Sequence, residues 1–286
     1  MSPATLSDVH RLLNKYDLHP QKRWGQNFLV DKNILNKITD AAGLNENEYV
    51  LEIGPGLGAL TRRMAARSKG VLAVDIDRKL QGPLEEMVGN LPQVHLLFHD
   101  VLTIDLEEEL RKAFNTQELH SFSLCANIPY NITSPIIFKI LDECPSLRAA
   151  TLMIQKEVAQ RITAQPGTKD YGRLTLSTAY RAQVRHLMNV SHNCFYPKPE
   201  VDSTVIQLIP HQTKPVAVKD EALFKGLMRI AFQKRRKTIL NICVDYFQEN
   251  KETAKEILDE VQISSTNRPE NLGLKEFAVL ADAFSR

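Results

Sequence analysis

From Tyr49 onward, short runs of aliphatic and β-branched residues alternate with stretches whose apolar residues recur at helical spacing. That alternation is expected of βαβ units built on a mostly parallel sheet. It predicts strands over Tyr49–Ile53, Val71–Asp75, Val94–Phe98, Ser121–Ala126 and Thr151–Gln155, with further strands around 187–190 and 201–209. Helices are predicted over Gly58–Ala66, Arg78–Met87, Leu106–Phe114, Ile136–Leu141 and Lys156–Thr163, and an N-terminal one over Lys32–Ala42 with Asp31 as its cap. After Pro210 the pattern changes. Residues 211–215 are polar and proline-broken, strong strand signals stop, and Phe224, Leu227, Met228 and Ala231 fall on one helical face. The expected architecture is therefore α/β over 1–210, a Rossmann-like fold with a mostly parallel sheet, followed by a small all-helical domain over 211–286.

Composition narrows the setting. The 286 residues can bury a substantial core. No apolar run reaches the roughly 18 to 20 residues of a membrane helix, and the first residues lack a signal-peptide apolar core, so a cytoplasmic protein with no membrane partner is expected. Cys125, Cys144, Cys194 and Cys243 form no C-x-x-C pair, which argues against a zinc or redox site; no metal is expected. A net charge of +2 exerts only a weak overall pull on polyanions, so affinity for nucleic acid must come from local clusters.

The first chemical signal is Val50-Leu51-Glu52-Ile53-Gly54-Pro55-Gly56-Leu57-Gly58-Ala59, a strand running through a glycine turn into a helix. Glycines let the backbone approach a ligand, and a helix N-terminus offers unpaired amides. Gly54, Gly56 and Ala59 also satisfy the dinucleotide pattern G-x-G-x-x-G/A, so the glycines alone leave the ligand open. About twenty residues past Gly54, Asp75 stands at the end of the next strand, where its carboxylate can accept from both hydroxyls of an adenosine ribose. Asp77 falls where the following helix begins and suits a cap. Asp100, at the tip of the third strand, can accept from an adenine amino group, and its charge favours a cationic ligand. Together with Asn127 at the fourth strand end, these tips suit S-adenosyl-L-methionine better than a dinucleotide, because nothing supplies a second nucleotide subsite.

Asn127-Ile128-Pro129-Tyr130 combines an amide, a proline-fixed turn and an aromatic face. An amide oxygen here, with the carbonyl of Ile128, can accept the two hydrogens of an exocyclic amine and favour the charge it develops on alkylation. Pro129 stiffens the turn, and Tyr130 can stack on a base.

With these features the chain resembles the small-subunit ribosomal RNA adenine N6,N6-dimethyltransferase family over nearly its whole length. The resemblance rests on Lys22-Arg23-Trp24-Gly25-Gln26-Asn27-Phe28-Leu29, the glycine loop, Gln155 to Arg161, Lys169 to Leu174, Phe195-x-Pro197-x-Pro199-x-Val201-x-Ser203, and Arg268-Pro269-Glu270-Asn271-Leu272 with Phe277. It implies an S-adenosyl-L-methionine-dependent enzyme that dimethylates adjacent adenines in a hairpin loop near the 3′ end of small-subunit ribosomal RNA. A role in assembling that subunit is implied as well. By the same resemblance Asn27 and Leu29 join Gly54, Gly56, Asp75, Asp100 and Asn127 at the cofactor, and Phe195 joins Tyr130 and Asn127 at the target base. Asp75 departs from the glutamate usual at its position, which shortens its reach by one methylene.

Lys225, Arg229, Lys234, Arg235, Arg236 and Lys237 follow one another without an intervening acid. Helical spacing puts Lys225, Arg229 and Arg236 on one face, a candidate RNA-binding track that Lys22, Arg23, Arg173, Arg181 and Arg185 extend. The expected partner is ribosomal RNA or the assembling small subunit, bound by a monomer. Two alternatives share parts of the pattern: a large-subunit RNA adenine methylase of the macrolide-resistance type, and a non-catalytic RNA- or promoter-binding factor of the mitochondrial transcription type. The Phe-x-Pro-x-Pro block and the Gln-Asn-Phe-Leu motif favour the first reading over the large-subunit methylase; intact Asn127, Asp100 and Gly54 favour an enzyme over the binding factor.

Overall fold

The computed structural model describes residues 5–21 and 24–285, so Lys22 and Arg23 lie outside the described residues. The chain forms two compact units, one of residues 1–159 and 184–210, the other of 160–183 and 211–286.

In chain order the elements are α1 (Leu6–Lys15), β1 (Phe28–Leu29), α2 (Lys32–Ala41), β2 (Tyr49–Ile53), α3 (Ala59–Ala65), β3 (Gly70–Asp75), α4 (Gln81–Val88), β4 (Val94–Phe98), α5 (Leu106–Ala113), β5 (Phe122–Asn127), α6 (Thr133–Glu143), β6 (Leu147–Gln155), α7 (Lys156–Ile162), α8 (Arg173–Arg181), β7 (Ala182–Val190), β8 (Phe195–Tyr196), β9 (Ser203–Pro210), α9 (Glu221–Gln233), α10 (Ile239–Phe247), α11 (Lys251–Glu260) and α12 (Leu274–Phe284). Seven strands form one sheet in the order β4-β3-β2-β5-β6-β9-β7. The pairs from β4 through β6 are parallel, and β9 runs antiparallel to β6. Strand order reverses between β2 and β5, and at such a switch point an open α/β sheet leaves a crevice outside its strand ends. The five strands predicted between Tyr49 and Gln155 are present within a few residues of their expected bounds.

Local chemistry accounts for the helix starts. Asp31 accepts from the amides of Asn33 and Ile34 at the head of α2, and Asp105 accepts from Glu108 at the head of α5. Asp77 caps as expected, accepting from Lys79. The helix expected over Arg78–Met87 is split, however, into a 3-10 turn at Arg78–Leu80 followed by α4. A separate two-stranded pairing sets Leu29 opposite Phe195 and Phe28 opposite Tyr196. It fixes the N-terminal segment to the Phe-x-Pro-x-Pro block within the first unit.

The second unit is built on helices. Its core gathers Phe224, Leu227, Met228 and Ala231, the stripe read from the sequence, with Ile239, Ile242, Phe277 and Leu280. Tyr171, Leu176 and Tyr180 join that core, and the Tyr171 hydroxyl donates to the carbonyl of Leu272 at 2.8 Å. This packing explains why residues 160–183 belong with the helical unit, whereas the division expected at 210/211 leaves them with the sheet.

Candidate active site

The carboxyl ends of β2, β3, β4 and β5 converge on one pocket, lined by Gly54, Gly56, Asp75, Ile76, Asp100, Leu102, Asn127 and Pro129 among others. The N-terminal segment from Trp24 to Leu29 forms another wall. Gly54 and Gly56 have φ of +70° and +59°, a region open to glycine and strained for residues with a Cβ. A Cβ on Gly56 would meet the Phe28 ring at 3.1 Å, and one on Gly54 would meet Pro129 at 3.4 Å. The loop thus brings bare backbone to the pocket at positions where a side chain has little room.

Asp75 ends β3 almost fully buried. Its Oδ1 accepts from the Asp77 amide at 2.9 Å. Burial pushes the Asp75 carboxyl up to about 6, partly offset by backbone donors from Asp77, Gly56 and Ile76. Asp100 is half-buried, and its Oδ1 accepts from the Leu102 amide at 2.9 Å. His99 is exposed beside it.

Asn127 is the last residue of β5. Its Nδ2 donates to the main-chain carbonyl of Asn27 at 3.1 Å, which orients the amide so that Oδ1 is its remaining acceptor. The Ile128 amide is engaged by the carbonyl of Met153 at 3.0 Å. Tyr130 is half-buried, and its hydroxyl shares a 2.6 Å hydrogen bond with Ser203. Tyr130 does not line the pocket; its neighbours Pro129 and Asn131 do.

Phe195 departs from expectation. It is 2% exposed and packs in the core with Leu29, Cys125, Met153, Val190 and Val205. In this conformation no face of its ring is open to stack on a base; its aromatic body is used instead to hold β8 and β1 together. Leu29, 7% exposed, lines the pocket and belongs to the same cluster.

Among the pocket residues not singled out in the sequence, such as Ile76, Leu102 and Asn131, one carries a charge-bearing group. Glu52 is 1% exposed on β2 and lines the pocket. Burial pushes its carboxyl up to about 8, against the opposing effect of the Thr61 hydroxyl, which donates to it at 2.5 Å. The available signal was an acid inside an otherwise apolar strand, two residues before Gly54.

The basic run divides in two. The helix α9 ends at Gln233 with Lys234 as its C-cap, so Arg236 lies beyond it and does not share the helical face of Lys225 and Arg229. Lys225 pairs with Glu221, Lys234 and Lys237 both pair with Asp245, and Arg235 pairs with Glu270. Arg229 and Arg236 are exposed and have no ion-pair partner among the described residues. Arg236 lies in a concavity with Lys169, Arg235, Arg268 and Glu270, a grouping brought about by folding and invisible in the linear run.

The sheet order, the switch-point pocket with its glycine loop and the antiparallel β9 define a Rossmann-like methyltransferase. The ribosomal RNA adenine dimethylase family model matches residues 18–281, and the chain belongs to that family. It is 41% identical to the ribosomal RNA small subunit methyltransferase A of Geobacillus thermodenitrificans, covering 98% of this chain and 96% of the relative. The protein of the same name in Alkaliphilus oremlandii is 40% identical over 96% of this chain and 95% of its own. Among solved structures, a dimethyladenosine transferase from Plasmodium falciparum superposes with a TM-score of 0.72 at 27% identity, covering 87% of this chain and 94% of its own. The 23S rRNA methyltransferase ErmE does so with 0.67 at 25% identity, covering 91% and 100%.

Proposed function

We propose that this chain transfers methyl groups from S-adenosyl-L-methionine to the N6 amine of adenines in small-subunit ribosomal RNA, two to each target nitrogen. The observation that carries the reading is Asn127, held at a strand end above the glycine loop with its amide oriented by the Asn27 carbonyl. The family and the full-length similarity to small-subunit methyltransferases favour small-subunit RNA over the large-subunit alternative.

The pocket suits the cofactor on its own chemistry. Gly54 and Gly56 provide backbone where a Cβ would crowd Pro129 and Phe28. Asp75 has carboxylate capacity for the ribose hydroxyls, Ile76 and Leu102 offer apolar walls for an adenine, and Asp100 offers an acceptor for its amino group. When bound, the cofactor supplies an electrophilic methyl carbon on a sulfonium leaving group. What remains for the protein is alignment. The adenine amine is a weak nucleophile because its lone pair is delocalised into the ring. In the first transfer Asn127 Oδ1 and the Ile128 carbonyl accept its two hydrogens, favour a tetrahedral nitrogen and stabilise the positive charge that grows on it; in the second, one of these acceptors takes the single hydrogen that remains. Pro129 keeps the two acceptors in fixed relation. Tyr130, its hydroxyl held by Ser203, provides a stacking face for a base in a loop or flipped from a helix, worth about 1–3 kcal/mol.

Ribose recognition by Asp75 requires the carboxylate. Its pKa is raised to about 6 in the folded protein, so protonation below that value removes an acceptor. Cofactor affinity is therefore expected to fall as pH drops through about 6, by at most about tenfold per unit, and to be flat between pH 7 and 8. Calorimetric titration with S-adenosylhomocysteine from pH 5 to 8 checks this, and Asp75→Asn should remove the dependence.

The concavity around Arg236, with Arg229 on α9, is the proposed contact for RNA phosphates. Arg236→Ala should weaken RNA binding and lower the slope of log K against log salt by about 1. Lys234→Ala, whose ammonium already pairs with Asp245, should do less. Filter binding at several salt concentrations separates the two. The proposed substrate itself is tested by offering labelled cofactor to undermethylated small and large ribosomal subunits in parallel. Incorporation into small-subunit RNA is expected; incorporation into large-subunit RNA alone would replace this reading with the alternative.

A further inference from the structure

Gln26 sits in the pocket wall, yet its side chain points to a second residue of the protein rather than serving only as lining. Its Nε2 donates to Asp77 Oδ2 at 2.8 Å, and its Oε1 accepts from the Gln21 amide at 2.8 Å. Both polar ends of one amide are therefore used, one on the N-terminal segment and one across the pocket on the turn after β3. Asp77 is 9% exposed. Its Oδ1 accepts from Lys79 at 3.1 Å, and its own amide donates to Asp75 Oδ1 at 2.9 Å. A continuous hydrogen-bonded path thus runs from Gln21 through Gln26 and Asp77 to the carboxylate proposed to hold the ribose.

The segment has a second tie at its other end, where Asn127 donates to the Asn27 carbonyl. Among the described residues of 21–27 the main-chain bonds are local, the Trp24 and Gln26 amides donating to the Gln21 carbonyl at 3.1 and 3.5 Å, so side-chain ties to Asp77 and Asn127 connect the segment to the strand ends. We propose that Gln26 is a positioning residue: through Asp77 it latches the N-terminal segment across the cofactor pocket and couples that closure to the seating of Asp75. This rests on the cofactor reading given above. The consequence is kinetic as much as energetic. With the latch made, the part of the wall ahead of β1 stays in place and cofactor leaves slowly; with it broken, Trp24 to Gln26 lose their tie to the turn after β3 while Asn27, Phe28 and Leu29 remain held by Asn127 and by the pairing with β8, and the cofactor escapes faster.

The geometry permits an exchange of roles. In Gln26→Glu two carboxylates face each other at the latch. In the double variant Gln26→Glu with Asp77→Asn, the new amide at position 77 donates to the new carboxylate at position 26. The side-chain oxygen at position 77 still caps Lys79, and the carboxylate at position 26 still accepts from the Gln21 amide. Single-variant loss with double-variant rescue is a signature that a merely space-filling role would not produce. The chain also carries its own reporter, because Trp24 is its one tryptophan and lies in the latched segment.

The experiment measures two quantities on purified full-length chains: acrylamide quenching of Trp24 without ligand, and affinity and dissociation rate for S-adenosylhomocysteine. Gln26→Glu is expected to raise quenching and weaken binding by about tenfold or more, chiefly through faster dissociation. The double variant is expected to return both to within about threefold of the parent. Gln26→Met, which removes the hydrogen bonds without adding charge, should fall between them, and keeps the test informative if the charged single variant unfolds. Parent-like quenching and binding in both Gln26→Glu and Gln26→Met, or a double variant no better than Gln26→Glu, would overturn the latch. A parent chain that does not bind the probe at all would instead strike the cofactor reading, and is told apart because it appears before any variant is made.

Discussion

Asn127→Ala is expected to lower kcat for methyl transfer by about 10²- to 10³-fold, the loss typical of removing one preorganised group that stabilises transition-state charge. Its effect on cofactor affinity is expected to stay within about tenfold, because the glycine loop, Asp75 and Asp100 are untouched and only the tie to Asn27 is lost. That split between turnover and binding distinguishes an amine acceptor from a residue that merely shapes the pocket. Single-turnover rates at saturating cofactor, beside calorimetric binding of S-adenosylhomocysteine, read the two separately. Asn127→Asp sharpens the assignment. It keeps an acceptor oxygen but sets a second one against the Asn27 carbonyl, so it should recover only part of the rate.

Gly56→Val is expected to abolish useful cofactor binding, raising the dissociation constant by about 30-fold or more. The backbone at this position has φ of +59°, and the new Cβ would stand 3.1 Å from the Phe28 ring. A β-branched residue in the left-handed region is strained by about 1–2 kcal/mol before any clash is counted. Relief requires moving Phe28, which pairs with Tyr196 and packs with Leu57, Leu80 and Leu84, or distorting the loop in which the Gly56 amide faces Asp75. Either route disturbs the ribose end of the pocket. Gly43 provides the control: its φ is +58°, but nothing lies within 4 Å of the point where a Cβ would stand. Gly43→Ala should cost stability of about 1 kcal/mol and leave cofactor affinity unchanged. Thermal unfolding and ligand titration of the two variants together make the comparison.

Much of this architecture is carried by local sequence. The strands from Tyr49 to Gln155 are runs whose apolar content and turn boundaries are independent of context, and Asp31 and Asp77 cap where short polar side chains preceding a helix should. The pocket follows from topology, since strand ends of a parallel sheet lie on one edge, and Gly54, Asp75, Asp100 and Asn127 all stand at or just past strand ends. What was not legible depends on contacts distant in sequence. The pairing of Leu29 with Phe195 spans most of the first unit and involves two residues on each side, too few for any periodicity. For that reason a Phe that motif matching places at the substrate is found in the core. Residues 160–183 begin within α7, which continues from β6 along the chain, and only the destination of Tyr171 and Tyr180 shows that they fold with the helical unit. Lys225, Arg229 and Arg236 share a face only if the helix runs on past Gln233, and α9 ends there; folding then pairs four of the six cations and leaves Arg229 and Arg236 exposed.

The reaction assigned to this pocket is methylation of the exocyclic nitrogen of adenine, followed by a second transfer to the same atom. It is tested by nucleoside analysis, using mass spectrometry, of small-subunit RNA digested after incubation with the purified chain and S-adenosyl-L-methionine. N6,N6-dimethyladenosine, absent when Asn127→Ala replaces the parent chain, is the expected product. Methylation confined to a ring carbon or to another base, or equal yield from the Asn127→Ala chain, would contradict the assignment.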